Sequence, residues 1–393
     1  MRILILTTQT KGRGGIQYVG RLLLKALSDG LGRDAEIHAV SVHDHDQAPL
    51  ENSGWTIHGG GGSRWRAAWL AARAMRQGPW DVLILGHLHL APLLLTARRG
   101  RHWKAGLGLV YGLEAWQPLS RFRRLGIERL DQLVYISEHS RNAAYDVNPW
   151  LKAVPSAVCY LGLEPAGDEL RGAGDGERGA GRRGQRSEVR GRRTEDGGTG
   201  TEVRAGDFAL SIGRMTSGEA YKGHEEMIRV WPEVARRRPG FPLVIIGDGD
   251  DRPRLEQLAG QLGANVRFLG GVDDSTRDAH LSACRCFCLP SRGEGFGLVY
   301  LEAMREGKSV LAGNQDAGRE VVVDGLTGRT VDARDAEQLL AGILDVSGER
   351  AEAMGSAGRQ RYEAQFSYEV FKTRLLDHIA ALTKQPSRIT ARG

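Results

Sequence analysis

Between Ser291 and Glu302 the chain reads SRGEGFGLVYLE, which sets Glu294 and Glu302 eight positions apart with Gly295 and Gly297 between them. Carboxylates are good acceptors for paired hydroxyl groups. Glycines, lacking a Cβ, let backbone N–H groups approach a bound anion, most effectively where a helix begins. The preceding run, CRCFCLP, reads as a short buried strand, and LVYLEAMREG reads as the helix that follows. The junction therefore suits a ligand that is anionic in one part and rich in hydroxyls in another.

A second group lies upstream, in SIGRMTSGEAYKGHEEM, where Arg214 directly follows an apolar run and Lys222 directly precedes a helical one. Both cations would project at the carboxyl edge of a sheet, where open α/β sheets bind ligands. A diphosphate needs that pairing, with Arg as a planar fork and Lys as a compact point charge. Alone, the two are ordinary surface charges. With the Glu294–Glu302 junction on a neighbouring crossover they read as a site, and a nucleotide-sugar is a ligand with both required parts.

The elements that must position these groups follow a β-α-β rhythm. RILIL, the helical YVGRLLLKAL, EIHAVSV, the helical RAAWLAARAM, DVLIL, GLGLVY, QLVYI and AVCYL run through the first part. The rhythm restarts at FALSIG near residue 208 and continues through PLVIIG, VRFLG, CRCFCLP and SVLAG. This is the pattern of an α/β protein with two parallel, doubly wound, Rossmann-like domains. We place them at 1–163 and 207–365. The segment 164–206 is dominated by Gly, Arg, Asp and Glu, and its large aliphatics are Leu170, Val189 and Val203. Such a composition buries too little apolar surface to offset ordering entropy, so a flexible, low-complexity linker or insertion is expected there. Its interspersed acids argue against an arginine-rich nucleic-acid arm. A closing amphipathic stretch, RYEAQFSYEVFKTRLLDHIAAL, reads as one or two helices, with a helix at 366–384 and a tail at 385–393.

The chain has 393 residues, 41% hydrophobic and 26% charged, with a net charge of +6, which suits anionic partners. Its cations are dispersed, without a helix-turn-helix or aromatic-rich RNA motif, so nucleic acid is not expected. No apolar run reaches the ~20 residues a spanning helix needs. MRILILTTQ is too short for a signal peptide and reads as a first strand, so a cytoplasmic location is expected. Cys284, Cys286 and Cys288 alternate and should share one strand face. With Cys159 they are expected as buried small hydrophobes rather than metal ligands.

The second half is similar to the nucleotide-sugar domain of family 4 glycosyltransferases, retaining enzymes of the GT-B fold. The resemblance rests on GRM…YKGH, IIGDGDDR, VRFLGGV, the Glu294/Glu302 pair (E-x7-E) and VVVDGLTGRTV, in the family's order across roughly residues 208–335. It implies two Rossmann-like domains facing each other across a cleft, with a C-terminal helix returning to the first. It implies sugar transfer from a nucleoside-diphosphate sugar to a hydroxyl of a glycan or lipid-linked acceptor, in bacterial surface or extracellular glycan synthesis, with no metal or cofactor. Arg214 and Lys222 would stabilise the departing diphosphate, and Glu294 would hold sugar hydroxyls. The backbone of Gly295, Phe296, Gly297 and Leu298 would meet sugar and phosphate. Glu302 would accept from ribose, and the loop ending near Val272 would edge the base. A nucleotide-sugar epimerase or phosphorylase and a non-catalytic GT-B partner protein are the alternatives.

The first half is less specific. KGRGGIQ places Gly12, Gly14 and Gly15 at a strand-to-helix turn and fails the dinucleotide pattern at Gln17. It resembles the family's glycine loop facing the cleft, which makes Gly14 and Gly15 donor contacts. LVYGLEAW resembles the family's HGxE pattern with Tyr111 in place of the histidine; Tyr111, Glu114 and His87 are cleft candidates. His43-Asp44-His45-Asp46 is expected as a solvated loop rather than a metal site. Arg98, Arg99, Arg101, Trp103 and Lys104, with Arg121, Phe122, Arg123 and Arg124, read as either a solvated face or a patch for peripheral contact with an anionic membrane, on its inner side.

Overall fold

A computed structural model describes residues 1–12, 14–45, 54–164 and 206–384. The expected linker, apart from its end residues, and the tail lie outside the described residues, as does Asp46.

The first sheet has seven strands: β1 (Arg2–Thr7), β2 (Glu36–Ser41), β3 (Trp55–Gly59), β4 (Trp80–Leu85), β5 (Trp103–Val110), β6 (Gln132–Tyr135) and β7 (Ser156–Val158). They lie in the order β3-β2-β1-β4-β5-β6-β7, all parallel. The second has six: β8 (Ala209–Ile212), β9 (Leu243–Ile246), β10 (Val266–Gly270), β11 (Cys286–Leu289), β12 (Ser309–Gly313) and β13 (Gly328–Val331). Their order is β10-β9-β8-β11-β12-β13, again all parallel.

Helices α1 (Gly15–Leu31), α2 (Arg64–Arg76), α3 (Arg121–Ile127) and α4 (Glu138–Val147) cover the first sheet. Helices α5 (His224–Arg237), α6 (Arg252–Gln261), α7 (Asp274–Ala283), α8 (Leu298–Arg305), α9 (Gly318–Val321), α10 (Ala336–Ser347), α11 (Ala351–Gln365) and α12 (Tyr368–Lys384) follow.

Central strands such as β1, β4, β9 and β11 are buried on both faces, which is why they read as continuous apolar runs. The edge strand β3, WTIHG, is half-exposed and carries no such run; the sequence reading did not single it out. Strand order reverses between β1 and β4 and again between β8 and β11. Ligands of open α/β sheets bind at the carboxyl end of such a reversal. Topology therefore commits the loops after β1, β4, β8 and β11 to a site before any side chain is considered.

The closing stretch breaks into two helices at Phe366–Ser367. Helix α12 returns to the first sheet, as the resemblance implied. Phe371, Leu375, Ile379 and Leu382 enter the core shared with α1, and Tyr368 Oη donates to Asp29 Oδ2 at 2.5 Å. Beside it the two passages of chain between domains run together: Leu163 N–H donates to the Phe366 carbonyl at 3.2 Å, and Leu163 forms a parallel bridge with Ser367.

All four cysteines are buried and unbridged. The expectation that three share one strand face holds only for Cys286 and Cys288, whose sulfurs lie 3.9 Å apart in one core layer. β11 begins at Cys286, so Cys284 precedes the strand alternation and packs into the other layer.

Candidate functional site

The second sheet delivers Arg214 and Lys222 from the loop after β8, and Glu294 from the loop after β11, on the two strands that flank the reversal. Lys222 Nζ donates to Glu294 Oε1 at 2.7 Å, with side chains 13% and 19% exposed. Burial alone would lower the lysine pKa, but the charge and hydrogen bond of Glu294 outweigh it and raise the value. Lys222 is therefore a cation at neutral pH.

Arg214 bonds to Glu219 and is 74% exposed, at the rim rather than the floor. Burial pushes the Tyr221 phenol pKa up, and its hydroxyl feels Lys222, Glu294, Glu219 and Arg214. Lys222 Nζ lies 5.5 Å from the centre of the Tyr221 ring. Glu302 points from α8 toward α7, where Arg277 Nη1 lies 3.3 Å from its carboxylate. Val272, on the loop leading into α7, packs half-buried against the core. The structure brings Lys222 and Glu294 into contact, leaves Arg214 exposed on the same loop and paired with Glu219, and gives Glu302 a cationic neighbour that the sequence reading missed.

The loop from Gly295 to Leu298 is held from several sides. Gly297, at φ +91°, is the residue from which α8 begins. The Phe296 ring is buried, stacked on Tyr160 at 5.9 Å and edge-on to Phe366 at 6.0 Å, so only its backbone remains for a ligand. A Cβ on Gly295 would lie 2.4 Å from the Tyr111 carbonyl oxygen, so the first domain meets the loop backbone to backbone. Ser137 and Ser140 hydroxyls donate to the Gly295 carbonyl at 2.8 and 2.9 Å. Glu320, from α9, accepts from the Glu138 and His139 N–H groups at 2.8 and 2.6 Å. A carboxylate of the second domain thus completes the N-terminus of α4 in the first.

Asp316 is fully buried and accepts from Glu294 N–H and Gly318 N–H, each at 2.8 Å. Burial raises its pKa to about 6. Asp316, Glu320, Ser137 and Ser140 were not foreseen. Asp316 and Glu320 both lie just ahead of the VVVDGLTGRTV region already singled out, which begins at Val321, but no local spacing marks them.

In the first domain Gly14 precedes α1 and Gly15 opens it. The turn before them is fastened by Asp44, which accepts from Thr10 N–H and Oγ1 at 2.7 Å and from Lys11 N–H at 3.1 Å. The expected solvated His43–Asp46 loop is corrected here: His43 and His45 are exposed, but Asp44 is buried because it satisfies the backbone of the glycine turn. Among the described residues no group of His, Cys, Asp or Glu is arranged to hold a metal ion.

His87, two residues past the end of β4, is buried, with its ring 5.9 Å from that of Tyr111; burial, then His89 and Arg123, lowers its pKa to about 4. Glu114 folds back so that its Oε1 accepts from Tyr111 N–H at 2.7 Å. Burial raises its pKa. The three candidates form one cluster at the carboxyl edge.

The basic-aromatic patch divides. Residues 98–104 lead into β5 and form its first two positions, and residues 121–124 follow its other end, about 25 Å away for an eight-residue strand. Trp103 is wholly buried, Arg99 pairs with Asp131 and Lys104 with Asp81. Trp103 and Arg99 are therefore structural, while Arg98, Arg101 and Lys104 are exposed at the end of β5 opposite to residues 121–124.

Residues 204–361 match the family described as glycosyl transferases group 1. A phosphatidyl-myo-inositol mannosyltransferase of Mycolicibacterium smegmatis is 37% identical over 144 residues, 36% of each chain. A GDP-mannose-dependent monoacylated alpha-(1-6)-phosphatidylinositol monomannoside mannosyltransferase of Corynebacterium glutamicum is 37% identical over 164 residues, 39% of this chain and 42% of that one. The match thus spans less than half the length of these relatives. Among solved structures, Anabaena Alr3699/HepE in complex with UDP and glucose superposes with a TM-score of 0.67 at 18% identity, covering 97% of this chain and 100% of that one. Sucrose-phosphate synthase from Thermosynechococcus elongatus gives 0.70 at 18% identity, covering 97% and 98%. The chain has the GT-B fold, and residues 204–361 of its second domain are similar to the group 1 glycosyl transferases.

Proposed function

We propose that this protein is a retaining glycosyltransferase that moves a hexose from a nucleoside-diphosphate sugar to a hydroxyl acceptor. The observation that carries the reading is the Lys222–Glu294 contact at the β8/β11 reversal, beside the Gly295–Leu298 backbone. A diphosphate there draws Lys222 Nζ onto its oxygens, and Arg214 swings from the rim to join it. Glu294 then turns to sugar hydroxyls. Charge stabilisation of the leaving diphosphate carries most of the catalysis. The acceptor proton passes to a phosphate oxygen of the donor on the same face of the sugar.

The sequence relatives support GDP-mannose as the first donor to try and an inositol phospholipid as the first acceptor. With a lipid acceptor the enzyme works as a peripheral protein at a membrane surface, building a surface glycolipid or glycan. The test is a thermal-shift screen against UDP-, GDP-, ADP- and TDP-sugars, followed by a transfer assay with the donor it selects. A donor at 100 times its Kd adds about 2.7 kcal/mol of stability. Indifference to every donor would refute the reading.

A further inference from the structure

Helix α2 is built inside out. Its core face is small, with Ala67, Ala71, Ala74 and Met75 buried, while its bulkiest residues crest on the opposite side. Trp65 is 88% exposed and Trp69 58% exposed. Four positions apart, they stack one above the other on the helix surface. Arg64, Arg66, Arg73 and Arg76 surround them, α2 contains no acidic residue, and the Arg73 guanidinium lies 5.3 Å from the centre of the Trp69 ring.

The neighbouring surface repeats the pattern. Helices α2 and α3 both pack on the turn Leu88–Thr96, and α3 carries Arg121, Arg123 and Arg124 without an acid. Its Phe122 is 65% exposed and Leu125 39%. Arg64, Arg73, Arg76 and Arg121 make no ion pair with a carboxylate among the described residues. Large aromatics at the outermost point of a helix, ringed by cations, match the two layers of an anionic bilayer surface: phosphate heads outside, acyl chains beneath. The start of α2 and the start of α3 both sit at the carboxyl edge of the first sheet, the edge that carries the glycine turn and Tyr111.

We propose that Trp65 and Trp69 of α2, with Phe122 and Leu125 of α3, enter an anionic membrane while the surrounding arginines hold its headgroups, so that the site edge faces the lipid. This rests on the lipid-acceptor reading above and replaces the 98–104 half of the sequence patch. The full chain is sedimented with phosphatidylcholine vesicles, with and without phosphatidylglycerol, at low and high salt. Binding is expected only with the anionic lipid, weakened by salt, abolished in W65S/W69S and reduced roughly fivefold per arginine in R73Q/R76Q. R98Q/K104Q, at the opposite edge of β5, is expected to bind as the parent does. All variants should keep the parent's melting temperature, because these side chains are exposed.

Failure of the parent to sediment, or equal sedimentation of W65S/W69S, overturns the proposal. So does light scattering that shows a parent dimer broken by W65S/W69S, since a second copy would then cover the tryptophans. A donor thermal shift measured on the same samples separates the two ideas: its loss with vesicle binding intact removes the transferase reading, and the reverse removes the membrane surface.

Discussion

Lys222 and Glu294 hold one another at a sheet edge where a diphosphate sugar would compete for both. Replacing either with Ala is expected to lower kcat by roughly 10²–10³-fold, the magnitude typical for removing one preorganised stabilising group. Both side chains are more than four-fifths buried, so removing one partner leaves the other charge unpaired and should also lower the melting temperature. Because the two touch, K222A/E294A should lose little more than either single change; kcat measured across the cycle checks this. Asp316 gives the site a pH dependence. Its pKa near 6 lies above the ordinary aspartate value, so its contribution to stability is present below about pH 4 and lost as pH rises through 6. Its effect on the loop runs the opposite way. Below pH 6 the protonated carboxyl no longer offers both oxygens as acceptors, and Glu294 N–H or Gly318 N–H loses its partner. Donor affinity, measured by calorimetry, should therefore fall below about pH 6 in the parent and vary less with pH in D316N. At this scale, local spacing revealed the residues at the strand ends. It could not reveal Asp316, which lies 22 positions from the N–H it serves.

Elements add a constraint that single residues do not. The β11–α8 loop is pinned between Tyr111 and the N-terminus of α4, and a Cβ at Gly295 has nowhere to go but into a carbonyl. G295A should separate the domains at that contact, costing about 1–3 kcal/mol in stability, with a matching loss of turnover that donor saturation does not restore. Thermal unfolding and kcat at saturating donor read the two effects. Most strands were legible because strands buried on both faces must be apolar throughout. β3 was not, because an edge strand needs only one good face, and WTIHG supplies only Ile57 and Gly59 as buried positions. The Cys284 expectation failed at a boundary: alternation was extended two residues before β11 begins. Helix α2 was recognised as a helix, yet its outward tryptophans were not, since the inward face is identified only once Ala67, Ala71 and Ala74 are seen to pack.

For the molecule as a whole, Glu320 is one of the direct ties between the two domains, and it joins residues 182 positions apart. E320A should loosen the closed arrangement, raising the radius of gyration in small-angle scattering and raising KM for the acceptor more than for the donor. S137A/S140A should act in the same direction, and E320D should restore part of the effect. Acid should loosen the fold by another route. His87 and His224 are buried, and burial lowers each pKa to about 4. The unfolded chain binds their protons near pH 6.5, so their contribution is intact above that value and lost as pH falls toward 4. H224Q should flatten the slope of melting temperature with pH in that window.

The return of α12 has a practical consequence. The first core is finished by seventeen residues encoded at the far end of the described chain, and these supply four of its large apolar side chains. Cutting the gene between codons 164 and 206 would therefore give two polypeptides that need each other. The leading fragment made alone would expose the groove meant for Leu375 and Ile379 and precipitate. Co-produced with the trailing fragment, it would be clasped by a helix borrowed from its neighbour, and the pair would purify as one particle.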